Sequence, residues 1–487
     1  MLSVAAVDRK ARVLRNDNAR AVGRAGDYFF ELAADDMIPM PEGATLMRLP
    51  GRVPVGIAEA TGEFVSAGPG EALAAMLPQG YTRTYLPAYT RKAGAPALPL
   101  FGYAAVALDG DQLMVAAVRT DHRDTWDPRH YNLDSLPQAV RRRLERSPNN
   151  RVLAQLAKCS LEYGCFTAQN IFYRRWEGGI PVSPACNAAC LGCISKQPAE
   201  CCPSPQERIS FVPTRDEVVE IAVEHLENAE DAIISFGQGC EGEPTLQADL
   251  IVEAVRLTRA ATRRGTVNIN TNAGDTDAIR RVCEAGVDSL RVSLVSARPD
   301  RYHAYHRPAG YELRDVVESI KVAKALGAFV SINYLCYPGF SDTEPEVDAL
   351  ADFIDETGID MLQLRNLNID PDVFSDTMLK PFSREEPRGM VAAIYHLQDC
   401  FPNLIIGNFS KALDGYNWSG PPAGCSFRNP IPPWASDVNV NERERRPTGG
   451  VVAGASAPAL PFQATRIVPS TSPLNTTKRF PLRAALE

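Results

Sequence analysis

Between residues 178 and 410, short apolar segments alternate with amphipathic segments of helical period, and this alternation constrains the fold most strongly. Such alternation is typical of an α/β protein whose parallel sheet is built from βα units. A closed barrel of this kind has eight units, so the six counted here predict a partial, TIM-like (β/α)6 barrel. The predicted strands are 179–184, 231–236, 266–271, 288–294, 328–335 and 360–367, with a further candidate at 403–407.

The remaining segments differ from the barrel in composition. Residues 1–26 are polar and rich in arginine and are predicted to be a leader, whereas 27–125 contain apolar and aromatic segments typical of a β-rich N-terminal domain. Residues 126–177 are expected to form a helical connector between that domain and the barrel at 178–410. Residues 411–487 are predicted to be an extension that is largely disordered after 430, because Pro, Ser and Ala dominate it without periodicity.

Composition narrows the choice of compartment and partner. The 487 residues carry a net charge of −8, which disfavours binding to RNA or to an anionic membrane. No run of 18 apolar residues occurs and the first residues lack an apolar signal segment, so we expect a cytoplasmic protein without membrane spans. The twelve cysteines are then reduced rather than paired in disulfides, and their spacing decides which of them bind metal.

Three cysteines stand close together after the first predicted strand, as Cys186, Cys190 and Cys193 in the spacing CxxxCxxC. Catalytic groups of βα barrels lie at the C-terminal ends of strands. Thiolates this close repel each other unless a cation compensates their charge, so the triplet predicts a metal site. An iron–sulfur cluster normally has four cysteine ligands, so three would leave one iron open to another ligand. The alternatives are a zinc site with Cys201 or Cys202 as fourth ligand, or thiols that bind nothing.

This loop, placed after the first strand of a βα barrel, resembles the signature of the radical S-adenosylmethionine (radical SAM) superfamily. The resemblance implies that Cys186, Cys190 and Cys193 hold a four-iron four-sulfur (4Fe–4S) cluster. It further implies that the amino and carboxylate groups of S-adenosylmethionine chelate the fourth iron. The protein would then be an enzyme: an electron from a donor such as flavodoxin or ferredoxin cleaves the sulfonium, and the resulting 5′-deoxyadenosyl radical abstracts a substrate hydrogen.

Three further segments resemble motifs of the same superfamily. Residues 242–244 match the tail of its GGEP motif, whose backbone and carboxylate meet the amino group of S-adenosylmethionine, although Glu241 replaces the first glycine. Cys240, directly before this motif, is a candidate catalytic residue. A TNG-like segment and a ribose-contacting strand follow in the expected order. The implied cofactor-binding residues are Gly242, Glu243, Asn270, Thr271, Asn272, Ser293 and Ser296.

Alternation along the strands predicts a polar barrel lumen. Since the apolar residues of each strand face the helices, Arg291 and Arg365 should point inward, and neither strand supplies an inward acidic partner. Buried polar groups need partners, so either ligands satisfy them and the lumen is the active site, or the network satisfies itself. We expect both arginines to be active-site residues, one holding the carboxylate of S-adenosylmethionine and the other an anionic substrate group.

Two questions stay open at this level. The substrate is a peptide or protein, a small molecule or, against the acidic charge, RNA. A non-catalytic zinc or iron–sulfur protein on a βα scaffold is the alternative function, and it would need four ligands rather than three. Four other cysteines either form a second metal site or pack as free thiols, namely Cys159, Cys165, Cys201 and Cys202.

Overall fold

The structure, a computed structural model, describes residues 1–197 and 204–413 and the backbone of Arg466–Ile467. The N-terminal part is antiparallel β structure, and the short strand β22 (Arg466–Ile467) pairs with its strand β5. The strands of this part are β1 (Ser3–Val7), β2 (Val13–Ala25), β3 (Tyr28–Glu31), β4 (Ile38–Pro39), β5 (Thr45–Leu49), β6 (Arg52–Ala58), β7 (Phe64–Ser66), β8 (Glu71–Met76), β9 (Tyr81–Arg83), β10 (Leu86–Pro87), β11 (Tyr89–Arg91), β12 (Tyr103–Asp109), β13 (Gln112–Val115) and β14 (Ala117–Arg119).

The prediction of a polar leader at residues 1–26 is wrong, because β1 and β2 lie in the middle of this sheet. Strand β1 pairs with β2, β8 and β12. Ala19 and Ala21 of β2 are buried, whereas Arg15, between them and the strand's start, is exposed. The inward face of the strand consists of small residues, so the arginines dominate its composition without making it a solvent-exposed segment.

Three helices, α1 (Leu136–Arg146), α2 (Arg151–Leu161) and α3 (Phe166–Tyr173), connect this sheet to a parallel half-barrel. Its seven strands are hydrogen-bonded in the order of the chain, so each βα unit lies beside the previous one. The strands are β15 (Arg175–Gly179), β16 (Glu230–Phe236), β17 (Thr266–Thr271), β18 (Ser289–Leu294), β19 (Phe329–Cys336), β20 (Met361–Asn366) and β21 (Ile405–Gly407). The helices are α4 (Arg215–Asn228), α5 (Ala248–Ala261), α6 (Thr276–Ala285), α7 (Pro299–His306), α8 (Leu313–Ala325), α9 (Glu344–Thr357), α10 (Pro371–Phe374) and α11 (Met390–Cys400).

The strand predicted at 179–184 lies at Arg175–Gly179 instead, and the chain leaves the sheet before the cysteines. Pro181 and Pro184 lack the N–H that a sheet ladder requires. The N–H groups of Val182 and Ser183 donate to the carboxylate of Glu241, at 2.8 and 3.0 Å, rather than to a neighbouring strand. The further strand expected at 403–407 is present as β21, parallel to β20. The tail predicted to be disordered after residue 430 lies outside the described residues, apart from the backbone of β22.

Side-chain alternation divides the half-barrel into an apolar outer face and a polar inner face, as the sequence predicts. Val267, Ile269, Leu290 and Val292 are fully buried in one apolar cluster with the surrounding helices. The inward residues between them are polar and form the lumen. None of the described helices is both long and apolar enough to cross a membrane.

Two corresponding junctions of the barrel repeat the same local structure. Gly286 and Gly358 end α6 and α9 in the left-handed conformation, with φ of 113° and 61°. Two residues later, the carboxylate of Asp288 accepts the N–H of Val267 at 2.7 Å, and that of Asp360 accepts the N–H of Val330 at 2.8 Å. Each aspartate therefore fastens the start of its own strand to the strand before it.

The N-terminal sheet is bound to the ends of the later barrel strands by buried polar groups. The Arg83 side chain is fully buried, and its Nη2 donates to the carbonyl oxygens of Leu367 at 2.8 Å and Cys336 at 3.4 Å. Asn366 accepts the N–H of Arg83 at 2.9 Å and donates to the carbonyl oxygen of Tyr81 at 2.8 Å. These contacts lie at the C-terminal ends of β19 and β20, so the N-terminal sheet borders the mouth of the half-barrel.

A second group of contacts continues this junction around the mouth. Arg52 is fully buried, and its Nη2 lies 2.8 Å from the carboxylate of Asp372 and 3.4 Å from that of Asp370. Asp121 accepts the N–H of Asn408 at 2.9 Å, just beyond β21. Charged groups this deeply buried require such partners, and here the two parts of the chain supply them to each other.

Candidate active site

The cysteine loop is held by the end of helix α7 and the residues that follow it. The N–H of Leu191 donates to the carbonyl oxygen of Tyr305 at 3.0 Å, and that of Ala189 to His306 at 3.1 Å. These two bonds flank Cys190 on either side. Ala188 also forms a β-bridge with Pro308. The backbone of the loop is therefore positioned by contacts that leave all three cysteine side chains free to bind a ligand.

The three cysteines are all half-buried, and they lie close enough for the charges of Cys186 and Cys193 to act on Cys190. Burial and the neighbouring charges of Cys186 and Cys193 raise the pKa of Cys190. Burial also raises the pKa of Cys186, with a smaller contribution from the charge of Glu243. Thiols in such surroundings stay protonated unless a cation stabilises their thiolates. This donor set fits an iron–sulfur cluster, in which three of the irons each take one cysteine ligand.

The geometry fits a single metal ion less well. Among residues 1–197 and 204–413, no three His, Cys, Asp or Glu side chains converge closely enough to hold one ion. The proposed fourth zinc ligands Cys201 and Cys202 lie outside the described residues.

Polar side chains contact two of the three sulfurs. The Nδ1 of His306 lies 3.4 Å from the Sγ of Cys190. Arg208 Nη2 lies 3.7 Å from the Sγ of Cys193, and the hydroxyl of Ser195 accepts hydrogen bonds from Arg208 at 3.1 and 3.2 Å. Hydrogen-bond donors at the sulfurs of a cluster tune its electronic properties.

Glu241 connects the two segments that lead into the site. Its Oε2 accepts from the N–H groups of Val182 and Ser183, while its Oε1 accepts from those of Gly237 and Gln238, at 2.5 and 3.1 Å. The side chain is buried, and burial raises its pKa to about 7 despite these four donors, which lower it. Glu241 therefore joins the segment before the cysteines to the loop after β16.

The neighbouring Gly242 and Glu243 complete this connection. A Cβ at Gly242 would lie 1.9 Å from the carbonyl oxygen of Ala185, so only glycine fits here. The carboxylate of Glu243 is buried and accepts from the hydroxyl of Thr271 at 2.5 Å and the N–H of Asn272 at 2.8 Å. Asn272 donates in turn to the side chain of Asn187, inside the cysteine loop, at 2.6 Å. The ends of β16 and β17 are thereby connected to the triplet.

The inward side chains of strands β15 to β18 form a hydrogen-bonded network in the lumen. Glu177 of β15 is buried and accepts from the hydroxyl of Ser235 at 2.7 Å and from Gln238 at 3.1 Å. Asn268 donates to Ser235 at 3.0 Å and accepts from Ser289 at 2.8 Å. For these residues, the structure therefore shows the self-satisfied polar network that was one of the two alternatives.

The two lumen arginines differ in their partners. Arg291 Nη2 lies 3.6 Å from the carboxylate of Glu177, and Nη1 donates to Ser410 at 3.0 Å. Arg365 donates to the backbone and side-chain oxygens of Asn408, at 2.9 and 3.0 Å, and to Gln79 at 3.3 Å. Burial and the charge of Arg291 lower the pKa of Arg365 to about 10. Arg365 thus remains a partly buried cation whose hydrogen-bond partners here are neutral.

Residues 180–354 match the family model described as the radical SAM superfamily. The chain carries a radical SAM domain. The cysteine triplet, the loop at Gly242 and Glu243 and strands β16 to β19 all lie within the matched segment. Members of this superfamily bind a 4Fe–4S cluster and S-adenosylmethionine, so the recognition made from the cysteine loop is confirmed, and the zinc-protein alternative is not favoured.

Curated relatives share this radical SAM domain over part of their length. GTP 3′,8-cyclase of Lactiplantibacillus plantarum is 29% identical over 172 residues, which cover 34% of this chain and 47% of that protein. The mitochondrial GTP 3′,8-cyclase of Arabidopsis thaliana is 26% identical over 246 residues, covering 49% of this chain and 57% of the relative. The chain therefore spans about half the length of these relatives.

Solved structures of radical SAM enzymes match at lower identity. Streptococcus suis SuiB bound to S-adenosylmethionine is 14% identical, with a TM-score of 0.34 and coverage of 57% of this chain and 61% of SuiB. Methylornithine synthase (PylB) is 15% identical with a TM-score of 0.34, over 56% of this chain and 76% of that chain. TM-scores this low support no inference about substrate or mechanism.

Some side chains expected to bind the cofactor form hydrogen bonds with other residues of the radical SAM domain. The hydroxyl of Ser296 is fully buried and donates to Glu346 at 2.6 Å, and its contact with a ribose stays a prediction. The carboxylate of Glu243 accepts hydrogen bonds from Thr271 and Asn272, and its contact with the amino group of S-adenosylmethionine stays a prediction. Asn270 donates to the carbonyl oxygen of Phe236 at 2.9 Å, and Ser293 accepts from Asn333 at 3.5 Å across neighbouring strands.

The structure places Cys240, a candidate catalytic residue from the sequence, in the apolar core. Its side chain is 3% exposed and belongs to the apolar cluster behind the half-barrel. The neighbouring thiol of Cys159, on α2, raises the pKa of Cys240, and burial raises it further. Cys159 and Cys165 are likewise packed near Cys240, away from the triplet.

Sequence patterns missed four polar residues of this site, Glu177, Asn187, Arg208 and His306. Glu177 was missed because the first strand was placed at 179–184, four residues too late, which excluded it from the lumen. Its presence means that Arg291 has an internal carboxylate partner, contrary to the expectation from its own strand. Asn187 stands inside the CxxxCxxC motif, and its position there could have indicated a role. His306 follows an aromatic segment that the sequence alone did not connect to the cysteines.

Proposed function

We propose that this protein is a radical SAM enzyme that abstracts a hydrogen atom from a substrate bearing an anionic group. The observation that carries the proposal is the loop of three half-buried cysteines at the mouth of a radical SAM domain. When bound, the 4Fe–4S cluster and S-adenosylmethionine supply the 5′-deoxyadenosyl radical for this chemistry. The residues that would hold the cluster are Cys186, Cys190 and Cys193.

The chain's own residues hold the loop in place for this task. Glu241 and Gly242 fix the segment before the first cysteine, and Glu243 connects the loop after β16 to Thr271 and Asn272. Residues Tyr305 and His306 fix the cysteine loop from the other side. The hydrogen bonds of these residues connect the cysteine loop and its flanking segments to the strand ends. Their role is therefore to orient the loop before the cofactors bind.

The surroundings of Arg365 are the reason for proposing an anionic substrate. Counting only Glu177, Arg291 and Arg365, the lumen carries a charge of +1, and Arg291 already has Glu177 beside it. An anion at Arg365 would compensate a guanidinium that burial and a like charge disfavour. The relatives named GTP 3′,8-cyclase act on GTP, an anionic nucleotide, and this favours a small molecule over a peptide or RNA.

Anaerobic reconstitution with iron and sulfide tests the proposed activity. The wild type should bind about four irons per chain and, once reduced chemically or by flavodoxin, form 5′-deoxyadenosine from S-adenosylmethionine. Cys190→Ala should lose both properties, whereas Cys283→Ala, on the outer helix α6, should retain them. A colourless protein that holds one tightly bound zinc would overturn the proposal.

GTP binding, measured by calorimetry, tests the role of Arg365. We expect Arg365→Met to bind GTP at least tenfold more weakly than the wild type while still cleaving S-adenosylmethionine without substrate. Arg298→Met is the matched control, because Arg298 pairs with the carboxylates of Glu346 and Glu385. Equal GTP affinity in all three proteins would remove Arg365 from the substrate site.

A further inference from the structure

His306 is a buried histidine whose two ring nitrogens have different partners. The N–H of Val295 donates to Nε2 at 3.2 Å, so Nε2 must carry a lone pair. In a neutral imidazole, the proton then resides on Nδ1. Nδ1 is the atom that lies 3.4 Å from the Sγ of Cys190. The backbone therefore sets the tautomer that donates a hydrogen bond to this sulfur.

Neighbouring rings hold the imidazole in this orientation. The His306 ring stacks on Tyr302, with centroids 4.4 Å apart, and meets the edge of Tyr305 at 5.0 Å. The side chain is 1% exposed, so water does not compete for Nδ1. The carbonyl oxygen of the same residue binds the N–H of Ala189, next to Cys190. One residue thus positions both the backbone and the sulfur of this ligand.

We propose that His306 is a positioning residue that donates a permanent hydrogen bond to Cys190 and thereby raises the reduction potential of the cluster. A donor at a thiolate stabilises the additional negative charge of the reduced state, so the cluster accepts its electron more readily. This inference rests on the proposed function, since it assumes that Cys190 ligates the cluster.

Two variants separate the hydrogen bond from the rest of the side chain. His306→Phe removes the donor and keeps an aromatic ring, whereas His306→Asn keeps an N–H near the position of Nδ1. Both variants lose the acceptor for Val295, so this loss cancels in the comparison. Anaerobic titration of the full-length protein, followed by electron paramagnetic resonance without S-adenosylmethionine, gives the midpoint potential, and iron analysis gives the cluster content.

We expect His306→Phe to titrate at a more negative potential than the wild type at equal iron content, and His306→Asn to titrate close to the wild type. Unchanged potential in a fully loaded His306→Phe variant would overturn the inference and leave the proposed function intact. A wild type that binds no iron would instead overturn the proposed function.

A measurement on the native residue covers the case in which His306→Phe fails to fold or to hold a cluster. In wild-type protein labelled with ¹⁵N-histidine, the reduced cluster should show a magnetic coupling to one histidine nitrogen. That coupling should be absent from His306→Asn, which keeps the donor but has no histidine at this position. A wild-type spectrum without histidine coupling would overturn the inference.

Discussion

The first half of the barrel and the second half are stabilised in different ways. Around β15 to β17, backbone N–H groups bind two buried carboxylates, Glu241 and Glu243, within the segments that approach the cysteine loop. Around β19 to β21, the strand ends are bound by the N-terminal sheet, through residues such as Arg52 and Arg83 that are about 300 positions away in sequence. The half that carries the cysteines is therefore organised by its own loops, and the other half depends on a second part of the chain.

The largest effect should come from breaking the junction with the N-terminal sheet. Arg52→Met leaves Asp370 and Asp372 as neighbouring carboxylates without their buried cation, so we expect the free energy of unfolding to fall by about 3–5 kcal/mol. Arg20→Met is the control, because the Arg20–Glu31 pair is partly exposed and should contribute less than about 1 kcal/mol. Chemical denaturation measures both, and equal values would show that the junction does not stabilise the second half.

The next effect concerns the tight backbone contact in the first half. Gly242→Ala places a methyl group against the carbonyl of Ala185, so we expect a loss of about 3 kcal/mol and poor iron incorporation. In Gly239→Ala, the nearest atom to the new Cβ is the flexible end of Ile194, at 2.6 Å, and the cost should be smaller. Denaturation and iron analysis after reconstitution would contradict this interpretation if the two variants behaved alike.

A smaller effect should follow from changing Glu241. Glu241→Gln substitutes an NH2 group for one carboxylate oxygen, and in either orientation that group faces two backbone N–H donors. Unsatisfied donors of this kind cost about 1–3 kcal/mol, so we expect a loss of about 2 kcal/mol at pH 8, where the carboxylate is ionised. The reference is Glu145→Gln on the exposed surface of α1, which should have no measurable effect. Tolerance of Glu241→Gln would mean that the carboxyl group is protonated.

The smallest effect should come from the aspartates that fasten equivalent strand starts in the two halves. Asp288→Ala and Asp360→Ala each remove the acceptor of a backbone N–H at equivalent strand starts. Each also removes the partner of a cation, Arg259 at Asp288 and Lys324 at Asp360. We expect each substitution to lower the free energy of unfolding by about 1 kcal/mol. Asparagine at either position keeps an acceptor and should recover part of the loss. Thermal denaturation of the four variants would sharpen the comparison: a much larger loss at Asp360 would show that the junction with the N-terminal sheet amplifies changes in the second half.

Much of the radical SAM domain was predictable because its signals are local. Two sequence motifs could be recognised because each lies in the loop that directly follows a strand. These are the cysteine spacing after β15 and the glycine at 242 after β16. The period of apolar residues assigned the helix-facing side of β17 and β18 correctly, since alternation depends only on strand geometry. The expectation for the first strand was wrong because its donors bind Glu241, which lies about 60 residues later.

The sequence by itself determined the position of the cysteine triplet, the parallel order of βα units and the polarity of the lumen, because each follows from residue type and spacing. Only the tertiary structure decided which polar groups satisfy each other. It paired Arg291 with Glu177, turned Cys240 into the apolar core and brought His306 to Cys190. Hydrogen-bond partners in a folded chain are chosen by proximity in space, and pairs separated by more than a hundred residues leave no periodic trace in sequence.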